Sequence, residues 1–106
     1  MPKYLLSASY SAEGLRGLQR DKASGRRAAV ASAVEGVGGK IEGFYYALGE
    51  DDAYVIVDLP DNISATALGI AVSAAGLART RTTALLTVEE TDRALEKTIN
   101  YRAPGR

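Results

Sequence analysis

A chain of 106 residues is the length of one folded domain. Its 13 positive and 13 negative side chains cancel, so no net field draws it to nucleic acid or to an anionic membrane. It contains no cysteine and no histidine. Within a self-contained chain this excludes disulfides, thiolate chemistry, Ser-His-Asp catalysis, imidazole-held zinc or iron, and a histidine-ligated haem.

The first residues, Met1-Pro2-Lys3-Tyr4, lead directly into an alternating stretch rather than a charged leader with an apolar core. No apolar run reaches the length of a membrane span, and a cytoplasmic protein is expected. Residues 3 to 10, KYLLSASY, place Tyr4, Leu6, Ala8 and Tyr10 on one face at period two, which predicts a strand. Ser11 then caps a helix, with Glu13 in its first turn where the dipole favours an anion. Helical spacing continues to about Val37, carried first by Leu15 and Leu18 and later by Val30, Val34 and Val37. The intervening RDKASG, with Ser24 and Gly25, predicts a break or kink, and Gly38-Gly39 ends the helix.

Residues 40 to 48 and 53 to 59 read as second and third strands rich in β-branched and aromatic side chains. Gly49, Glu50, Asp51 and Asp52 join them as a hairpin. Pro60 stops the third strand, and Asp61 or Asn62 caps a helix with Ala65, Leu68 and Val72 on one face, closed by Gly76. Residues 79 to 88 read as a fourth strand. Thr87 and Glu90 have the spacing of a capping box, so a short helix over about 89 to 98 follows, then a tail. Residues 1–88 thus form the domain, and 89–106 a helix and tail.

The order β-α-β-β-α-β implies an α+β, ferredoxin-like fold: a four-stranded antiparallel sheet with both long helices on one side. Phe44, Tyr46 and Leu48 on one face of the second strand, with Ile41, Tyr45 and Ala47 on the other, leave both faces apolar. In the third strand Val55, Val57 and Leu59 oppose Tyr54 and Ile56. Each large apolar side chain left in water forfeits about 1.5–3 kcal/mol. A homodimer, or a higher homo-oligomer, is therefore expected, with two sheets face to face and closing into a barrel. The alternative is that the tail helix folds back over the free face.

The opening PKY, the GGK after the first helix, the aromatic second strand and LGEDDAYVIVDLPD together resemble the GYD-domain family across about residues 1 to 88. KTINYRAPG resembles an extension in some members. The resemblance implies a dimeric α/β-barrel type of fold and carries no firm activity. The family's Gly-Tyr-Asp signature falls at the hairpin. Here Gly49 and Asp52 stand for its ends, and no tyrosine occupies the turn.

Other motifs are weaker. GVGGKI, residues 36 to 41, has the wrong glycine spacing for a phosphate loop, and Ile41 stands where a magnesium-binding hydroxyl is needed. Glu50, Asp51 and Asp52 lack the alternating spacing of a calcium loop and read as turn residues, so no metal site is expected. Arg16, Arg20, Lys22, Arg26 and Arg27 read as the solvated face of a helix. The predicted topology brings Tyr10, Arg79 and Arg81 to one end of the sheet, with Tyr46, Tyr54 and Phe44 lining an interior. Tyr10, Tyr46, Tyr54, Arg79 and Arg81 are the candidate ligand-binding residues, suited to a small anionic or aromatic molecule without a cofactor. The competing expectations are a cofactor-free isomerase or oxygenase using tyrosine and arginine, and a purely structural assembly module.

Overall fold

The computed structural model describes residues 1–106. In chain order they form β1 (Lys3–Tyr10), α1 (Ala12–Gly36), β2 (Lys40–Tyr46), β3 (Ala53–Asp58), α2 (Asn62–Ala74), β4 (Ala78–Leu85) and α3 (Val88–Leu95). The sheet order is β2-β3-β1-β4, and every neighbouring pair is antiparallel. This is the ferredoxin-like arrangement predicted from the element order.

Local chemistry sets the boundaries. The Ser11 hydroxyl accepts from the Gly14 N–H at 3.0 Å, satisfying one of the free donors at the start of α1. Asp61 does the same for α2, accepting from Ser64 N–H at 2.8 Å. At α3 the box is reciprocal: Thr87 Oγ1 accepts from Glu90 N–H at 3.0 Å, and Glu90 Oε1 accepts from Thr87 N–H at 2.8 Å. The interruption expected in RDKASG occurs at Lys22, with φ 66° and ψ 168°, upstream of Ser24 and Gly25. The turn between β2 and β3 is longer than the four residues expected, because β2 ends at Tyr46 and leaves Ala47 and Leu48 in the loop.

One face of the sheet meets both helices. Tyr4 and Leu6 of β1, Val55 and Val57 of β3, and Leu59 pack with Val34 of α1 and with Ala65 and Leu68 of α2. The hydroxyl of the buried Tyr4 donates to Asn62 Oδ1 at 2.5 Å and so fixes the first turn of α2 to β1. Phe44 and Tyr46 lie on the same side, their rings 5.3 Å apart and tilted by 41°.

Two expectations about the other face need correction. Ile41 does not lie on it. A β-bulge between Ile41 and Gly43 shifts the register, so that Ile41 pairs with Val57 and packs against the core beside Phe44. Nor does the tail helix cover it: α3 buries none of its own side chains. The open face therefore consists of Leu5, Ser7 and Ser9 of β1, Tyr54 and Ile56 of β3, Tyr45 of β2, and Arg79, Arg81, Thr83 and Leu85 of β4. These positions are cross-strand partners of one another, Tyr45 with Tyr54, Tyr54 with Ser7, and Ser7 with Arg81.

Candidate functional site

The three hairpin acids do three different jobs. Glu50 is exposed and offers its backbone carbonyl to the Ser9 hydroxyl at 3.1 Å. Asp52 turns back onto the end of β1: its carboxylate accepts from Tyr10 N–H at 2.8 Å, and its own N–H donates to the Ala8 carbonyl at 2.8 Å. Asp51 is only 6 % exposed and points to the open face. There its carboxylate accepts from the Ser9 hydroxyl at 2.9 Å, from the Tyr54 hydroxyl at 3.3 Å and from the Arg81 guanidinium. The Ser9 bond, followed by Arg81 and Tyr54, holds the Asp51 carboxyl below the usual carboxylate range.

Asp51 thus orients two of the predicted ligand-binding side chains, Tyr54 and Arg81. Arg81 remains 70 % exposed despite this bond. A guanidinium carries five N–H donors, so one carboxylate contact leaves most of them free. Arg79 lies across from Ser9, is exposed, and has no carboxylate within ion-pair distance. Ser9, Glu50, Asp51, Arg79, Thr80 and Arg81 line a cleft of about 260 Å³.

The other end of the open face carries a second ionic group. Lys3 Nζ contacts Glu42 at 2.6 Å and the buried Asp58 at 2.8 Å, and these partners, Asp58 foremost, raise the Lys3 pKa. Between the two polar ends lies an apolar middle of Leu5, Ile56 and Tyr45.

Tyr10 and Tyr46 do not join this cleft. Strand alternation puts Tyr10 on the face of Tyr4 and Leu6, while Arg79 and Arg81 alternate to the opposite face. Likewise Tyr46 pairs with Ala53 and Tyr45 with Tyr54, so Tyr46 and Tyr54 never share a face. The expected five-residue cluster divides into Tyr54, Arg79 and Arg81 on the open side and Tyr10 and Tyr46 under α1. There the Tyr46 hydroxyl donates to the Ala23 carbonyl at 3.3 Å, next to the break at Lys22. Burial, and after it the neighbouring Tyr10 phenol, pushes the Tyr46 pKa up. A tyrosine poised for proton transfer near neutral pH needs the opposite shift.

Sequence reasoning missed Ser9 and the burial of Asp51. Period-two alternation places Ser9 beside Arg79 and Arg81, and that signal was available; the inward turn of Asp51 depends on the hairpin's tertiary contacts. It also missed the character of α2, which has no charged residue from Asn62 to Ala74 and exposes Ile63 and Ile70. No helix of the chain is long and apolar enough to cross a membrane.

The chain belongs to the GYD-domain family, whose model matches residues 4–95, through the last residue of α3. No curated protein and no solved structure matches it.

Proposed function

We propose that this GYD-domain chain is a homodimeric binding protein for a small carboxylate with an apolar body. Two open sheet faces pack together in a dimeric α/β barrel, and the ligand's carboxylate lies against Arg79 and Arg81. The observation that carries this reading is the pairing of a carboxylate-anchored guanidinium, Arg81, with a second cation, Arg79, that has no acid of its own. Arginine's planar fork matches a carboxylate in two-point geometry. Leu5, Ile56, Tyr45 and Tyr54 offer the ligand body an apolar and aromatic surface on the same face. The cleft of about 260 Å³ in one chain is small for a ligand pocket, and a facing sheet would roof it.

The pairing is also supported by what the chain leaves uncovered. Tyr45 stays exposed at one edge, and α3 provides no lid. Packing a second sheet there recovers apolar burial that a lone chain forfeits.

The test combines assembly and binding. Light scattering on the full chain at micromolar concentration is expected to give twice the 11.2 kDa chain mass. Benzoate is expected to raise the melting temperature in a saturable manner, and Arg79→Ala to abolish that shift while leaving the circular dichroism spectrum unchanged. A monomer mass refutes the pairing. No benzoate effect, or an equal effect in Arg79→Ala, refutes the site.

A further inference from the structure

Cross-strand register arranges the open face in rows. One row runs Tyr45–Tyr54–Ser7–Arg81 from edge to edge, aromatic at the β2 end and cationic at the β4 end. The next runs Gly43–Ile56–Leu5–Thr83, bulky in the middle and small at both ends. Beyond it Asp58 pairs with Lys3 across the two central strands, and Leu85 closes the β4 edge. Tyr45 is 65 % exposed, and its ring lies back over Gly43, where an added methyl would sit 3.1 Å from it. Arg81 leans the opposite way along the strands, toward Asp51 beside Ser9.

Sheets that pack face to face lie about 10 Å apart with their strands nearly aligned. A two-fold axis meets that condition either across the strands or along them. An axis across the strands lays each strand on its own copy. β4 then meets β4, whose open-face residues are Arg79, Arg81, Thr83 and Leu85. Four guanidiniums collect along one edge, with only the two Asp51 carboxylates to offset them, and like charges brought together oppose association. Lys3 meets only β1, which has no acid, and Asp58 meets only β3, which has no cation.

An axis along the strands instead lays each row on itself, end for end. The β4 edge at Arg81 then meets the partner's β2 edge at the partner's Tyr45. Tyr54 meets the partner's Ser7, a large side chain over a small one. Ile56 meets the partner's Leu5, and Lys3 meets the partner's Asp58. The match is of size in the first row, of apolar character in the second and of charge in the third, and a second copy supplies all three at once.

Given the homodimer and carboxylate site proposed above, we infer that the faces pair about a two-fold axis along the strands and that each ligand site is built from two chains, the partner's Tyr45 closing the Arg79–Arg81 cleft. Because Tyr45 leans over Gly43 and Arg81 leans toward Asp51, the partner's ring stands over the Thr83 side of the arginines and not on their heads. The ligand body lies in the space between. An aromatic carboxylate fits both halves: its anion takes the arginine fork, and its ring packs against the partner's Tyr45.

The chain has no cysteine, so thiols placed in it react alone. Tyr45→Cys and Thr83→Cys, both at exposed positions, are made in separate full-length chains, co-expressed and treated with a short bismaleimide. Links from 45 to 83 are expected to be at least ten-fold more abundant than links joining two copies of 45 or two of 83. Equal yields, the reverse ratio or no link would overturn the arrangement. The shared site is read in a second pair of chains, Arg79→Ala and Tyr45→Ala, carrying different tags. Each homodimer lacks one half of every site and should bind no benzoate. The heterodimer, purified by both tags, combines Arg79 of one chain with Tyr45 of the other, and should bind about half the benzoate that the parent dimer binds. Binding retained in the Tyr45→Ala homodimer, or lost in both homodimers and not regained in the heterodimer, overturns the shared site and leaves the carboxylate site standing. A parent that binds no benzoate refutes the carboxylate site, and the shared site with it.

Discussion

Replacing Lys22 by glycine should stabilise this protein, although the same exchange elsewhere in a surface helix destabilises. Lys22 is exposed and sits at φ 66°, ψ 168°, a combination that a side chain disfavours and glycine tolerates. Holding a non-glycine residue there costs about 1–3 kcal/mol. Glycine's greater freedom in the unfolded chain returns about 0.5–1 kcal/mol of that. The net gain for Lys22→Gly is therefore about 1 kcal/mol, a rise in melting temperature of about 4–8 °C for a domain near this size. Ala28→Gly, at an exposed position in the regular part of the same helix, should lose about 1 kcal/mol. Thermal and urea melts at one fixed protein concentration measure both, since the proposed self-association would make stability concentration-dependent. If Lys22→Gly destabilises as Ala28→Gly does, α1 runs unbroken through residue 22 and the account of the break is wrong.

Further outcomes follow from the same physics. Gly39→Ala should cost about 1–3 kcal/mol, because the added methyl would lie 2.4 Å from the Asp58 carbonyl and 2.6 Å from the buried Leu59 side chain; urea unfolding checks it, and a neutral result would mean this corner yields freely. Asp51 has a folded pKa below its unfolded value, so its contribution is complete above about pH 4 and is lost as pH falls through the folded value. Asp51→Asn should therefore be less stable than the parent at pH 7, with the gap closing below about pH 4; a gap independent of pH would remove the charge-based role. Asp61 and Glu90 are also lowered, by their helix-cap bonds, so the parent keeps some acid sensitivity in either case. Ile56→Glu places a carboxylate in the middle of the open face and should weaken self-association at least ten-fold, read by light scattering on dilution; unchanged association would take the sheet face out of the assembly.

Much of the fold was legible because its signals are local. Ser11, Asp61 and the Thr87–Glu90 box mark their helix starts through side chains that reach only three residues ahead. Residues 3–10 show their period of two without reference to any partner, and β1 occupies them. What was hidden depends on pairing. The bulge that turns Ile41 inward arises only when β2 meets β3, and nothing in KIEGF announces it. Asp51 looks like any turn acid until Ser9, Tyr54 and Arg81 converge on it from three strands. The candidate site was half legible for the same reason: nearness at one end of the sheet was right for Tyr10, Arg79 and Arg81, but strand alternation puts the tyrosine on the wrong side. The uncharged outer face of α2 was visible as composition. Its meaning required knowing which face the sheet left free.

The proposed site on the open face holds a small carboxylate between Arg79 and Arg81, of which Asp51 helps to place Arg81. An amide NMR titration of the full-length chain with benzoate tests this most directly. Saturable shifts are expected at Ser9, Asp51, Tyr54, Arg79 and Arg81, and none in Arg79→Ala. No shifts, or shifts centred on Tyr10 and Tyr46 beneath α1, would contradict it.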